Sequence, residues 1–385
     1  MRIAFVTDTY EVGIAGGTVS AVRFVEALRW RHDVTVVATG PPAPGNVQIP
    51  GFQLPLHAMR ENRFTFGMPS RAILEDVFAG VDVVHLNFPF LLGMVAVRIA
   101  RRMHVPSVAA FHVQPENILL NVHMDYPWLS RWLYRRWVRS FFQLADAVVC
   151  PSEFAAARLR SYGLSVPTSV VSNGVPARRP RVTLRTPPRR GGTRVLLAVG
   201  RLAREKRQDV IIDAVARSRH RGRIRLVLAG AGPLDEALRA RAQQLGLAVE
   251  FGYVSDERLA QLLGEAHLFV HASEVELEGM AVLEAMAAGL PLLVADAPDS
   301  AARGFAAGPE FRFRPGDADD LAAHLDRLLD SPALLLEGSR RSLEHAAQHD
   351  FQRAAHELER VYESVVGVDG IRRARGRSGA EAGAA

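Results

Sequence analysis

The chain has 385 residues, 48% of them hydrophobic and 23% charged, with a net charge of +6 and a pI near 10.0. That length exceeds one ordinary core, so two domains are the default, and the composition excludes a disordered chain. The single cysteine, Cys150, rules out an internal disulfide and fits a reducing, cytoplasmic setting.

Short apolar runs alternate with amphipathic stretches along most of the sequence. Strands are predicted over residues 3–6, 34–38, 83–86, 107–111, 147–150 and 169–171, with helices between most of them, including 20–30 and 93–103. Strands of this kind separated by helices specify a parallel sheet covered on both faces. Residues 176–192 break the pattern with four prolines, six arginines and no apolar period, and read as a linker. Alternation restarts at 195–199 and continues through 226–229, 268–271 and 291–295. Helices follow over 318–329 and 332–349. The fold class is therefore α/β, with two doubly wound, Rossmann-like parallel-sheet domains facing across a cleft. The first covers 1–175 and the second 193–350, joined by the linker at 176–192. A helix at 351–368 is expected to cross back to the first domain, and 369–385, with little to bury, to form a disordered tail. The longest apolar run, 91–100, is about half of what a membrane span needs and carries Arg98. The opening residues reach Asp8 before any adequate apolar run, so no secretion signal is expected.

In open parallel sheets, ligands bind beyond the carboxyl ends of the strands. Several residues collect at those ends. Gly16 and Gly17 follow the first strand and open the first helix. They read either as a plain turn or as a place where backbone amides approach a ligand. His112 follows the strand 107–111, where a neutral imidazole can hydrogen-bond a sugar hydroxyl. Of the 47 cationic side chains only Lys206 is a lysine. An ammonium is a compact point charge, whereas a guanidinium is a flat fork, so a lone lysine among arginines suggests a site that only the compact charge fits. Arg201 precedes it at the end of the second domain's first strand. Together the two cations can neutralise a diphosphate without a metal. Gly230-Ala231-Gly232-Pro233 is a Gly-x-Gly turn, but Asp235 stands where a dinucleotide fingerprint wants its third glycine, which disfavours a nicotinamide enzyme. Contacts to a nucleotide base are expected near Tyr253 and Val254.

Glu276 and Glu284 stand eight residues apart. On one continuous helix they would be about 12 Å apart along the axis, too far to hold one small group. With a loop before Gly279 and a helix from about Met280, both can flank one ligand. The amides of Gly279, Met280 and Ala281 would then point at phosphate, and Glu284 could accept both hydroxyls of a ribose. The competing reading is an amphipathic core helix carrying surface acids. Asp317-Ala318-Asp319 has the spacing of a metal motif but reads better as a helix cap, and no metal site is expected.

Taken together, these elements resemble the retaining GT-B glycosyltransferases of family four, over nearly the whole chain. Glu276 and Glu284 match that family's Glu-x7-Glu element, and Arg201 and Lys206 its diphosphate-binding pair. Gly16 and Gly17 match its glycine loop, His112 its cleft histidine, and residues 172–175 the turn before its linker. One departure is Glu278, which stands where an aromatic residue usually precedes the glycine and would add a carboxylate beside the donor sugar. Residues 110–118 and 273–279 are most similar to bacterial members that glycosylate diacylglycerol-type lipids. The resemblance implies metal-independent hexose transfer with no cofactor beyond the nucleotide diphosphate sugar, UDP-hexose favoured. The acceptor would be a lipid or a saccharide. GDP-mannose as donor remains an alternative, and a non-catalytic nucleotide or lipid-surface binder is the reading from another class.

Residues 126–144 bear on the acceptor. Arg131, Arg135 and Arg139 share one helical face, and Trp128, Leu129, Trp132 and Leu133 another. Such a helix suits an anionic membrane surface, on the inner face of the membrane, or else packs its aromatic side on its own sheet. The two longest basic runs, at 178–190 and 372–377, read as solvated linker and tail. No basic and aromatic platform spans a sheet face, so nucleic acid is not expected as a partner.

Overall fold

The computed structural model describes residues 1–10, 16–40, 43–53, 64–175 and 192–381, with side chains to 367. Apart from Gly192, the expected linker lies outside the described residues. The chain forms two compact units. The first comprises Met1–Pro115, Tyr126–Ser172 and Gln352–Ala385, and the second Glu116–Asp125 and Asn173–Phe351.

In the first unit, Arg2–Thr9 is an interior strand of a seven-stranded sheet. Asp33–Thr39 and Asn46–Gln48 lie to one side, and Val83–Leu86, Ser107–Ala110, Ala147–Cys150 and Thr168–Val170 to the other. All the pairings are parallel. Val83–Leu86, Ser107–Ala110 and Ala147–Cys150 are buried throughout, because helices cover both faces. This is why they read as mostly apolar runs, interrupted only by His85 and Ser107, rather than as alternating ones. The last helix, Phe351–Glu381, packs Leu358, Val361, Tyr362 and Val365 into this unit. Its Glu359 meets Arg31 and His32, each at 3.1 Å. The helix runs to Glu381, so the backbone of 369–381 is helical where composition had suggested a disordered tail. Alanine and arginine are strong helix formers, and they continue a helix already anchored by packing.

In the second unit the strand order is Val249–Gly252, Ile224–Ala229, Arg194–Val199, Leu268–His271, Leu292–Ala295 and Arg312–Phe313, again all parallel. The order reverses between Arg194–Val199 and Leu268–His271, the switch point of a Rossmann sheet. Both units therefore have the expected α/β class. Asp317 accepts from the backbone N–H groups of Asp319 and Asp320 at 3.1 and 2.9 Å and caps the helix Ala318–Asp330. Gly174, at a φ of 65°, lies against the Phe351 backbone, where a Cβ would come within 2.6 Å of Phe351 Cα.

Asp8, at the end of the strand Arg2–Thr9, is 1% exposed and accepts from the Gly67 N–H at 2.9 Å. Burial pushes its carboxyl up to about 7, against the pull of that hydrogen bond. Between the unfolded value and 7 the native state therefore binds the extra proton. The stability this group confers is full in acid and is lost as pH rises through 7. Asp8→Asn should gain stability relative to wild type from pH 4 to pH 8, by up to about 4 kcal/mol. Denaturant midpoints of both proteins across that range check it, and parallel curves would contradict the assignment.

Candidate active site

The loop that leaves Arg194–Val199 is laid directly on the turn after Ile224–Ala229. Gly200 N–H donates to Ala229 O, Leu202 N–H to Ala231 O and Leu234 N–H to Leu202 O, each at 3.0 Å. A Cβ on Gly230 would lie 2.0 Å from the Gly200 carbonyl oxygen, and one on Gly232 2.5 Å from that of Leu202. The Gly-x-Gly turn is thus the seat of the loop that carries Arg201. Gly230 N–H also donates to Gly252 O at 2.8 Å, which joins this seat to Tyr253 and Val254. Tyr253 is 72% exposed and Val254 partly buried.

Arg201 and Lys206 are each held by a carboxylate. Arg201 Nη2 donates to Glu205 Oε1 at 2.7 Å, and the other oxygen of Glu205 accepts from Asn121 Nδ2 at 3.1 Å. Glu205 is 2% exposed. Its carbonyl accepts from Glu274 N–H at 2.9 Å and from the Ser273 hydroxyl at 3.1 Å, which ties the Arg201 loop to the one after Leu268–His271. Lys206 Nζ donates to Glu276 Oε1, which also lies 3.1 Å from His271 Nε2. Burial alone would raise the Glu276 carboxyl. The Lys206 ammonium and His271 more than offset that and hold it well below the usual carboxylate range. Removing Lys206 would strand a buried charge.

Glu276 sits on the short strand Val275–Glu276, which pairs with Asp299–Ser300. Gly279 follows at a φ of 93°, in the left-handed region, and caps the helix Met280–Ala287. The acids are therefore separated by a loop, and Met280 and Ala281 occupy the helix's first turn, whose amide donors have no intrahelical partners. Glu284 lies one turn in and is buried. The extra carboxylate, Glu278, turns away from this group. It is 2% exposed and accepts from Asn173 N–H at 2.9 Å and Asn173 Nδ2 at 2.7 Å. A buried carboxylate needs donors, and Asn173 supplies two.

In the first unit the structure brings Gly17 and His112 together. A Cβ on Gly17 would lie 3.0 Å from the Phe88 ring and 3.1 Å from His112 Cβ. Gly16 is exposed at the start of the helix Gly16–Arg29. Burial pushes the His112 imidazole down to about 4, so the ring is neutral at pH 7. The arginine- and tryptophan-rich segment is a helix over Pro127–Ser140. Tyr134, Trp137 and Val138 form its buried side, whereas Trp128 is 62% and Trp132 54% exposed.

Glu205, His271 and Asn121 escaped the sequence reading, and Asn173 entered it only as part of the turn at 172–175. Only Glu205 left a signal, as an acid four residues beyond Arg201 and next to the lone lysine.

The family description Glycosyltransferase Family 4 matches residues 14–179, and Glycosyl transferases group 1 matches 183–350. With the two Rossmann-like units, this makes the chain a member of the GT-B glycosyltransferases, and its activity that of a hexosyltransferase. An alpha-monoglucosyldiacylglycerol synthase of Streptococcus pneumoniae is 26% identical over 317 residues, 76% of this chain and 70% of its own. A GDP-mannose-dependent alpha-mannosyltransferase of Mycolicibacterium smegmatis is 30% identical over 319 residues, 77% of this chain and 80% of its own. Anabaena HepE, crystallised with UDP-glucose, superposes with a TM-score of 0.73 over 94% of this chain and 100% of its own, at 19% identity, a likeness of fold.

Gly230→Ala should push the Arg201 loop off its seat, costing about 1–3 kcal/mol of stability and weakening nucleotide-diphosphate binding. Gly222→Ala, where an added Cβ meets nothing within 4 Å, should be neutral. Thermal midpoints and nucleotide titrations of both variants decide, and equal behaviour would remove the seat from the explanation.

Proposed function

We propose that the protein transfers a hexose from a nucleotide diphosphate sugar, UDP-hexose favoured, to a diacylglycerol-type lipid with retention at the anomeric carbon. The observation that supports this reading is the Lys206–Glu276 pair, with Arg201 held by Glu205 on the same loop and Glu276 three residues before the Gly279 that caps the helix Met280–Ala287. Each cation leaves most of its N–H donors unused by its carboxylate partner. A diphosphate arriving here takes up those donors and the first-turn amides of Met280 and Ala281. Drawing Lys206 toward phosphate releases Glu276 from its ion pair. The freed carboxylate can then accept from hydroxyls of the hexose, while Glu284 accepts from the ribose and the backbone around Tyr253 and Val254 meets the base. As the bond to the anomeric carbon breaks, the charge that develops on the diphosphate is met by groups already in place. No divalent metal is needed for that step. Neutral His112, beside Gly17, can hydrogen-bond a sugar hydroxyl without adding charge.

The named relatives support both a diacylglycerol glucosyltransferase and a GDP-mannose mannosyltransferase, so the second donor stands as the alternative. A lipid acceptor is supported by the helix Pro127–Ser140. Its exposed Trp128 and Trp132 stand beside exposed Arg131, Arg135 and Arg139, the chemistry that binds an anionic bilayer surface. No helix among the described residues is long and apolar enough to cross a membrane, so contact through this helix would be peripheral.

A nucleotide-sugar panel read by thermal shift identifies the donor, because ligand raises apparent stability by mass action. UDP-glucose or UDP-galactose should stabilise most, and stabilisation by GDP-mannose alone would select the alternative. Lys206→Ala should lose at least about two orders of magnitude in turnover, and EDTA should leave the wild-type rate unchanged. Turnover abolished by EDTA would overturn the metal-free step.

Sedimentation with vesicles tests the surface. Phosphatidylglycerol-containing vesicles should retain wild type, and Trp128→Ser with Trp132→Ser should release it. Equal binding of wild type to neutral vesicles would remove the charge argument.

A further inference from the structure

Below His112 the first unit encloses a small cavity whose lining is mostly apolar but includes His85, Asn87 and His112. To a water-sized sphere it offers about 10 Å³, the size that accommodates one water. Asn87 is 0% exposed, and its orientation is fixed by its neighbours. The Thr7 hydroxyl donates to Thr9 O at 3.3 Å, so it must accept from Asn87 Nδ2, 3.2 Å away. Asn87 Oδ1 is then the atom left over, and among the described residues no protein group donates to it. A buried acceptor left in that state is unfavourable. His85 is 2% exposed, stacks on Phe5 and lies 2.9 Å from the Tyr362 hydroxyl through Nδ1. Burial pushes the Tyr362 phenol up, so it stays a donor to Nδ1, and neutral His85 carries its proton on Nε2.

We propose that this cavity holds one ordered water linking His85, Asn87 and His112, and that Asn87 is a positioning residue that sets the tautomer and orientation of the His112 ring. The water accepts from His85 Nε2–H and donates one proton to Asn87 Oδ1. Its second proton goes to one ring nitrogen of His112, so the other carries N–H and faces the substrate as a donor. The chain of contacts runs from the returning helix, through Tyr362, to His112. The functional part rests on the reading that His112 addresses the transferred sugar, whereas the network itself does not.

Three measurements on the full chain test it. A crystal structure at a resolution that places waters should show one within hydrogen-bond distance of Asn87 Oδ1, His85 and His112. Nitrogen-15 NMR of the histidine rings, assigned with His85→Gln and His112→Gln, should show one neutral tautomer for His112 in wild type and a mixture in Asn87→Ala. Val171→Ile, which adds a methyl group to the cavity lining and leaves the polar groups intact, should displace the water and give the same mixture. In both variants kcat should fall about tenfold with KM for the nucleotide sugar changed less than about twofold. An empty cavity, or wild-type His112 signals in both variants, would overturn the water and the positioning role together. Altered tautomers without any hexosyl transfer in wild type would keep the network and refute the proposed function instead.

Discussion

Arg201 and Lys206, at the second unit's switch point, are each held by a carboxylate, Glu205 buried and Glu276 partly buried. A cation on a flexible stem is a poor preorganised group unless something fixes it. Glu205 fixes Arg201, and Glu276, with His271 behind it, fixes Lys206. Neither pair counts for much as a source of stability, because the desolvation of partly buried ions offsets their attraction. Their value is geometric. They hold two positive charges in the stretch that leaves the strand Arg194–Val199, one of them against a carboxylate from the stretch that leaves the adjacent strand Leu268–His271.

Backbone contact makes that geometry possible. The loop bearing Arg201 touches the Gly230-Ala231-Gly232 turn so closely that no side chain fits between them. The Glu205 carbonyl then accepts from the Glu274 N–H and the Ser273 hydroxyl, which sets the loop leading to Glu276. The cation pair and the acid pair are thus built as one piece, through main-chain atoms. This gives the Gly-x-Gly turn a role that its likeness to a dinucleotide fingerprint hides. Its glycines serve a neighbouring loop.

The fold was legible because burial on both faces leaves a periodic signature. The strands Val83–Leu86, Ala147–Cys150 and Leu268–His271 have the bounds that the sequence pattern predicts, since each is a mostly apolar run that begins directly after a polar residue, Asp82, Asp146 or His267. Arg201, Lys206, Glu276 and Glu284 were legible as types and spacings. What they are tied to was not. Asn121 pairs with Glu205 across 84 residues, and nothing local marks such a partner. Glu278 misled for the same reason. Its neighbours in sequence line the site, but its donors come from Asn173, 105 residues away. The tail misled differently, because composition measures what a segment can bury. It does not register that the backbone of an anchored helix can continue past its packed part.

The solitary lysine finds its explanation in the crowding around Glu276. That carboxylate is met by His271 from the end of one strand and by Lys206 from the end of the next, both at the same oxygen. A point charge can share one oxygen with an imidazole and still turn its other protons toward an incoming phosphate. A guanidinium would need to lay its fork in a plane that His271 already restricts, and would tend to bind the carboxylate through two parallel N–H groups. Held in that way it would compete with the diphosphate instead of yielding to it. Arg201 faces no such demand, since Glu205 takes one arm of its fork and its second oxygen is engaged by Asn121. On the proposed reading, the single lysine of the chain stands where a fork would be the wrong shape.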